Sequence, residues 1–192
     1  MKIRTLFLTI LLFATGASAA ESQNPSVCNV RFFSYVDPDT MEGLLSKVED
    51  PLICADDQRL ILTIQTPGGD VDSGMFVYDT LRLRESGVDT HVQHSAESMG
   101  VILFLAGDNR TMSSGARLLV HEVTFYAEGA IEPDKLREFA EGLEIAHDDY
   151  AAIVSERTGL PLDRVEALMI NHTYLDAQEA LALGFATAIT DQ

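Results

Sequence analysis

Apolar positions along the chain change period several times, and each change marks an element. Val30 to Tyr35 reads as a strand, and Met41, Leu44, Leu45 and Val48 recur at helical spacing across Pro38 to Val48. A loop spans Pro51 to Gln58. Leu60-Ile61-Leu62-Thr63-Ile64 is a continuous apolar run that predicts a strand buried on both faces, and Pro67-Gly68-Gly69 ends it. Val71, Met75, Tyr78 and Leu81 form the apolar stripe of a helix from Asp70 to Arg84. A strand at Val88 to Gln93, a helix at Ser98 to Ala106, a turn at Ser113 to Gly115 and a strand at Arg117 to His121 continue the alternation. A long helix is predicted from Pro133 to Arg157, closed by Gly159, and a shorter one from Leu162 to Ile170. Asp176 with Glu179 forms a capping pattern for a helix over Ala177 to Leu183, which Gly184 ends before a last strand at Phe185 to Ile189. Strands and helices in this order imply an α/β fold in a single domain, a parallel sheet joined by right-handed crossovers with flanking helices. The chain has no repeat, low-complexity tract or interdomain linker.

The first segment stands outside that pattern. Lys2 and Arg4 precede an apolar run from Leu6 to Phe13, followed by Gly16 and the small-residue series Ala17-Ser18-Ala19. This is the composition of a secretory signal over residues 1–19, too short to span a bilayer. Cleavage after Ala19 or Ala20 leaves a domain of about 170 residues, enough for one good core. Export to a periplasm, or alternatively to the outside medium, is the expectation.

Charge narrows the partners. The formal net charge of -17 includes Lys2 and Arg4, so loss of those two residues leaves -19. Nucleic acid is excluded as a partner, because phosphate binding needs a basic stripe. Cys28 and Cys54 are a disulfide candidate in an exported chain, and a pair of buried free thiols is the alternative. Neither cysteine opens an apolar helix, so a nucleophilic role is disfavoured.

Three segments carry candidate chemistry: Thr66-Pro67-Gly68-Gly69-Asp70, Ser95-Ala96-Glu97-Ser98-Met99-Gly100 and Leu118-Leu119-Val120-His121. Each lies at the carboxyl end of a predicted strand, where open α/β sheets bind ligands. A serine is a weak nucleophile until a base takes its proton, and His121 is the best-placed base for Ser98. Exposed N–H groups at a glycine turn and a helix start supply oxyanion donors, and Gly69 and Met99 are the candidates. Taken singly, each part has an ordinary role: Ser98 as a helix cap, Pro-Gly-Gly as a turn, His121 as a satisfied polar residue. Their order along one sheet edge favours acyl-transfer chemistry.

The runs LTIQTPGGDVDSGMFVYD from Leu62 to Asp79 and SAESMGVILFLAG from Ser95 to Gly107, with Leu-Val-His at 119 to 121 and YLDAQEALALGFA from Tyr174 to Ala186, resemble the Clp protease proteolytic subunit family. The resemblance covers nearly all of the chain beyond Val30. It implies a ClpP/crotonase-type fold, Ser98 as nucleophile, His121 as general base, and Gly69 and Met99 as oxyanion donors. It further implies an extended polypeptide substrate and ring-like homo-oligomers built through the segment after His121. Three positions depart from the family pattern. His172 stands where the family carries the acid of its triad, leaving Asn171 or His172 to orient His121 by a neutral hydrogen bond. Glu97 replaces a small residue beside the serine. Glu122 follows His121 in place of Gln-Pro.

An amide in place of the orienting acid costs about four orders of magnitude in a related constellation, so a slow site is expected. An exported chain meets no unfoldase, so no ATPase partner is expected and any activity is ATP-independent. Of the lysines beyond the signal, Lys47 and Lys135, the latter opens the long helix and suits a solvated position better than a serine–lysine dyad. His91 and His94, an odd spacing apart on a strand, are expected on opposite faces, unable to share a metal. No metal site, cofactor, phosphate loop or dinucleotide fingerprint is predicted. The sequence thus reads as an exported, ATP-independent serine peptidase-like hydrolase. The rivals are a silent scaffold that keeps the cleft without turnover and a coenzyme-A thioester enzyme on the same fold.

Overall fold

The computed structural model describes residues 26–127 and 129–191; the expected signal at 1–19 lies outside them. Strand β1 (Val27–Phe33) leads to helix α1 (Pro38–Glu49), which Asp37 and Thr40 open with a reciprocal capping box. Strand β2 (Arg59–Thr66), helix α2 (Val71–Arg82), strand β3 (Val88–Glu97) and helix α3 (Met99–Leu105) follow. Then come β4 (Asn109–Ser113), β5 (Arg117–Val120), the 26-residue α4 (Pro133–Thr158), α5 (Leu162–Ile170), β6 (Thr173–Asp176), α6 (Ala177–Ala182) and β7 (Ala188–Thr190).

The sheet runs β1-β2-β3-β4-β7 with all neighbours parallel, as right-handed crossovers require. A short branch leaves the end of β3, where β5 pairs parallel to β3 and β6 pairs antiparallel to β5. Two of these strands, β4 and β6, are absent from the periodicity reading. In Asn109-Arg110-Thr111-Met112-Ser113 polar residues break any apolar run, yet Arg110 is buried. Its guanidinium donates to the carbonyls of Phe185, Gly107, Arg157 and Gly184, and Arg157 donates in turn to those of Leu105 and Gly107. Burial pushes the Arg110 pKa down, helped by the neighbouring cations Arg157 and Arg82. Carbonyl oxygens satisfy the buried donors without a carboxylate.

Strand β2 corrects a second expectation. Leu60, Leu62 and Ile64 are fully buried, whereas Ile61, Thr63 and Gln65 are only partly covered. The helices α1, α2 and α3 pack on one face alone, and the other face is open. Each of the three buried side chains contributes about 2 kcal/mol of hydrophobic stabilisation. At the strands' amino ends Arg59 bridges Asp89 and Asp108, and Arg82 also binds Asp108. Cys28 and Cys54 are joined as a disulfide, Cα to Cα 5.2 Å, tying β1 to the loop before β2.

The alternation expected of His91 and His94 fails at a register shift where Val92–Ala96 of β3 spans Ile64–Thr66 of β2. His91 bonds Thr111 and Ser113, while His94 lines a groove on the same open face with Arg31, Thr63 and Gln65. Among the described residues no helix is long and apolar enough to cross a membrane.

Candidate active site

The carboxyl ends of β2, β3 and β5 converge, and each delivers one part of the site. After β2, the chain turns through Gly68 (φ 89°) and Gly69 (φ 147°). A side chain at either position is excluded twice. It would need a conformation that L-residues rarely adopt, and its Cβ would strike a neighbour: Ser98 Cβ at 2.5 Å from Gly68, the Val36 carbonyl oxygen at 2.0 Å from Gly69. Val36, just past β1, clamps the turn from behind. Its N–H donates to the Gly68 carbonyl and its carbonyl accepts from the Asp70 N–H, both at 2.8 Å. Gly69, held between two bonded residues, is left with its N–H facing away from Val36. The Gly68 N–H is taken by Thr66 Oγ1 at 3.0 Å.

After β3 comes Ser98, whose φ of 55° and ψ of -123° lie far from the usual regions for a side-chain-bearing residue. Ser98 stands at the N-cap of α3 but makes no side-chain capping bond. The ordinary explanation of a serine at this position is therefore withdrawn. A strained serine on a strand-to-helix turn is the geometry of a nucleophile elbow, in which backbone strain exposes Oγ. The Ser98 N–H donates to the Leu119 carbonyl at 2.9 Å, anchoring the elbow to β5. Gly100 and Gly74 permit the tight seat of α3, because a Cβ would lie 2.4 Å from Thr66 Cγ2 and 2.6 Å from Met99 Cε respectively.

After β5 comes His121. Its Nδ1 lies 2.6 Å from the Glu122 carbonyl oxygen. A carbonyl only accepts, so in the neutral ring Nδ1 carries the proton and Nε2 the lone pair, the form a general base requires. Continuing the β5–β6 ladder one step beyond Val120 and Thr173 sets His172 opposite His121. The two imidazoles stack, centroids 5.6 Å apart and planes 17° from parallel. His172 adopts φ 47°, the other positive value among the described non-glycine residues. The Asn171 amide turns instead to the Ala167 carbonyl on its own helix. No hydrogen bond joins Ser98 Oγ to His121 among the described residues.

A cleft of about 920 Å³ unites these parts. The glycine turn, Ser98 and His121 form its floor, and the segment after His121 and one face of α4 form its walls, with Val123, Phe125, Phe139 and Leu143 as apolar lining. Phe125 and Phe139 pack ring to ring at 4.6 Å, pinning that segment to the helix. Asp70, Asp72 and Glu138 are the carboxylates at the cleft, and no lysine or arginine lines it among the described residues. Lys135, outside the lining, pairs with Glu138. Glu97 is directed to Arg117, 3.8 Å away, and does not line the cleft, so its charge is drawn away from Ser98. No group of three or more potential metal ligands occurs among the described residues.

The clamp at Val36 and the aromatic pair escaped the sequence reading, because each joins segments remote in the chain and carries no local signature. The profile of the Clp protease family matches residues 46–192.

The chain belongs to the Clp protease family.

The ATP-dependent Clp protease proteolytic subunit 2 of Mycolicibacterium paratuberculosis is 31% identical over 148 residues, covering 76% of this chain and 71% of that protein. Membership places the chain among protease-type hydrolases resembling the Clp proteolytic subunit, and the mixed, mostly parallel sheet with flanking helices accords with the family's fold.

Proposed function

We propose that this Clp protease family member is an exported, ATP-independent serine peptidase that cleaves extended polypeptide through Ser98 and His121. The observation that carries the reading is Ser98 itself, strained, uncapping and exposed to the cleft. His121 Nε2 takes the Ser98 Oγ proton as Oγ adds to the scissile carbonyl carbon. The N–H groups of Gly69 and Met99 receive the oxyanion; the turn and cap bonds around them leave both free. His121 then passes the proton to the departing amine, and water, deprotonated by the same imidazole, releases the acyl chain from Ser98.

Export is supported by the basic-then-apolar start and by the Cys28–Cys54 disulfide, a bond that persists in oxidising compartments. Family membership supports ring-like self-assembly, and the segment after His121, with Tyr126 93% exposed, offers surface for it. A silent scaffold is the second reading, favoured by one observation: the residue opposite His121 is an imidazole, not a carboxylate. A fluorophosphonate probe on the purified protein, with Ser98→Ala and His121→Ala as controls, decides between them. Labelling that vanishes in Ser98→Ala and slows sharply in His121→Ala is the expected result; a folded wild-type protein that never labels is the scaffold.

A further inference from the structure

Helix α4 is exposed through most of its first half and meets the core at Tyr150, Ala151 and Val154. Tyr150 is 2% exposed, and its hydroxyl donates to the backbone carbonyl of Ser98, 3.3 Å away and 52 residues distant in sequence. Burial pushes the hydroxyl's pKa well up, so it remains a protonated donor. The same carbonyl accepts from Val101 N–H at 2.9 Å.

A trans peptide points the carbonyl of one residue and the N–H of the next in opposite directions within one plane. Holding the Ser98 carbonyl on the core side therefore turns the Met99 N–H away from the core, toward the cleft. The elbow needs such a hold, because Ser98 has a sparsely populated conformation and the 98–99 peptide relaxes by rotating if released. The glycine turn has the counterpart in Val36, which holds the residues on both sides of Gly69 from behind. Val36 acts through backbone groups that any residue except proline supplies, whereas the hold on Ser98 adds a side-chain hydroxyl to the Val101 N–H.

We propose that Tyr150 is a positioning residue that fixes the Ser98–Met99 peptide so that the Met99 N–H stays aimed at the oxyanion. The inference rests on the peptidase reading for its catalytic meaning, and on geometry alone for the orientation of the peptide. A tyrosine so placed acts through Met99 and touches no substrate.

Tyr150→Phe removes the hydroxyl and leaves the ring in the core. Fluorophosphonate labelling of the intact chain, resolved into probe affinity and the first-order rate of the bound step, is the first measurement. Removing one oxyanion donor outright costs about 10²–10³-fold; loosening its aim is expected to slow the bound step about tenfold with affinity unchanged. A merely structural role would lower the melting temperature and the labelled fraction but not that rate. The crystal structure of the variant is the second measurement, expected to show the 98–99 peptide rotated or in two orientations. Equal rates with an unmoved peptide overturn the proposal. Wild-type protein that never labels, beside a variant with a rotated peptide, overturns the peptidase reading and leaves the positioning role standing; with an unmoved peptide, both fall.

Discussion

The two sides of the cleft are built to different standards. On the oxyanion side, Gly68 and Met99 are buried beside Gly69 and Ser98, with backbone bonds to Val36, Leu119 and Val101 at 2.8–2.9 Å and contacts that admit no Cβ on either turn glycine. On the base side, His121 is half-buried and held by one bond to its neighbour's carbonyl and one stacked ring, and the chain beyond it has no regular structure and is largely exposed from Thr124 to Ala127. The first side can stabilise a developing negative charge with little reorganisation. The second can accept a proton but has no anion to favour the imidazolium that results. Under the proposed mechanism, preorganised donors and the base are separable parts, the first fully held and the second without an anion to support it.

Breaking the complete side has the largest expected effect. In Gly69→Ala the new Cβ collides with the Val36 carbonyl at 2.0 Å, so the turn must move and its N–H leaves the oxyanion position. The labelling rate is expected to fall by about 10²–10³-fold, while circular dichroism stays that of a folded α/β protein. Completing the reduced side acts in the opposite direction. His172→Asp sets a carboxylate across the ladder from His121, where it can accept from Nδ1–H and stabilise the imidazolium. A carboxylate-to-amide change costs about 10⁴-fold in a full triad, so even partial recovery is expected to accelerate labelling more than about tenfold. Unchanged kinetics would show that the His121 ring is not free to turn from the Glu122 carbonyl.

The smallest effect tests whether the comparison is confined to the cleft. Burial opposes ionisation of Asp108, but hydrogen bonds from Arg82 and Arg59 outweigh it and hold the carboxyl below its usual range. A depressed carboxyl stabilises the fold above its unfolded value, near pH 4, and that contribution is lost as pH falls through the lower folded value. The side chain is 44% exposed, so Asp108→Asn is expected to cost only about 1 kcal/mol at pH 7. Denaturation curves of variant and wild type should converge below about pH 4. Labelling rates should not differ, since Asp108 lies at the other end of the strands.

Residues whose demands are local were legible in the chain. The Asp176–Glu179 box, the Gly159 stop and the paired glycines after β2 announce backbone conformations that few other residues allow, and the structure has each of them. Strand β4 was hidden because the groups that satisfy Arg110 come from residues up to 75 positions away. Strand β6 was hidden because Thr-Tyr-Leu-Asp is too short for a period to emerge. The β2 run of apolar residues overstated its burial, since apolar composition does not say which faces receive a helix. At the site, Ser98 and the glycine turn were readable, but the Glu122 carbonyl as the acceptor for His121 was not. Any residue supplies that group, so side-chain identity carries no trace of it.

The hold on Arg110 has a consequence for the order in which the chain can be completed. Two of its four acceptors, Gly184 and Phe185, are made after nearly everything else in the domain. A nascent chain that has placed β4 beside β3 still carries a cation whose burial is not compensated, and β4 lacks its outer neighbour β7. Solvent must remain at that edge until the last residues arrive. Translation that stops short of Gly184 therefore leaves a sheet with an open margin and a charge beneath it that lacks two of its four acceptors.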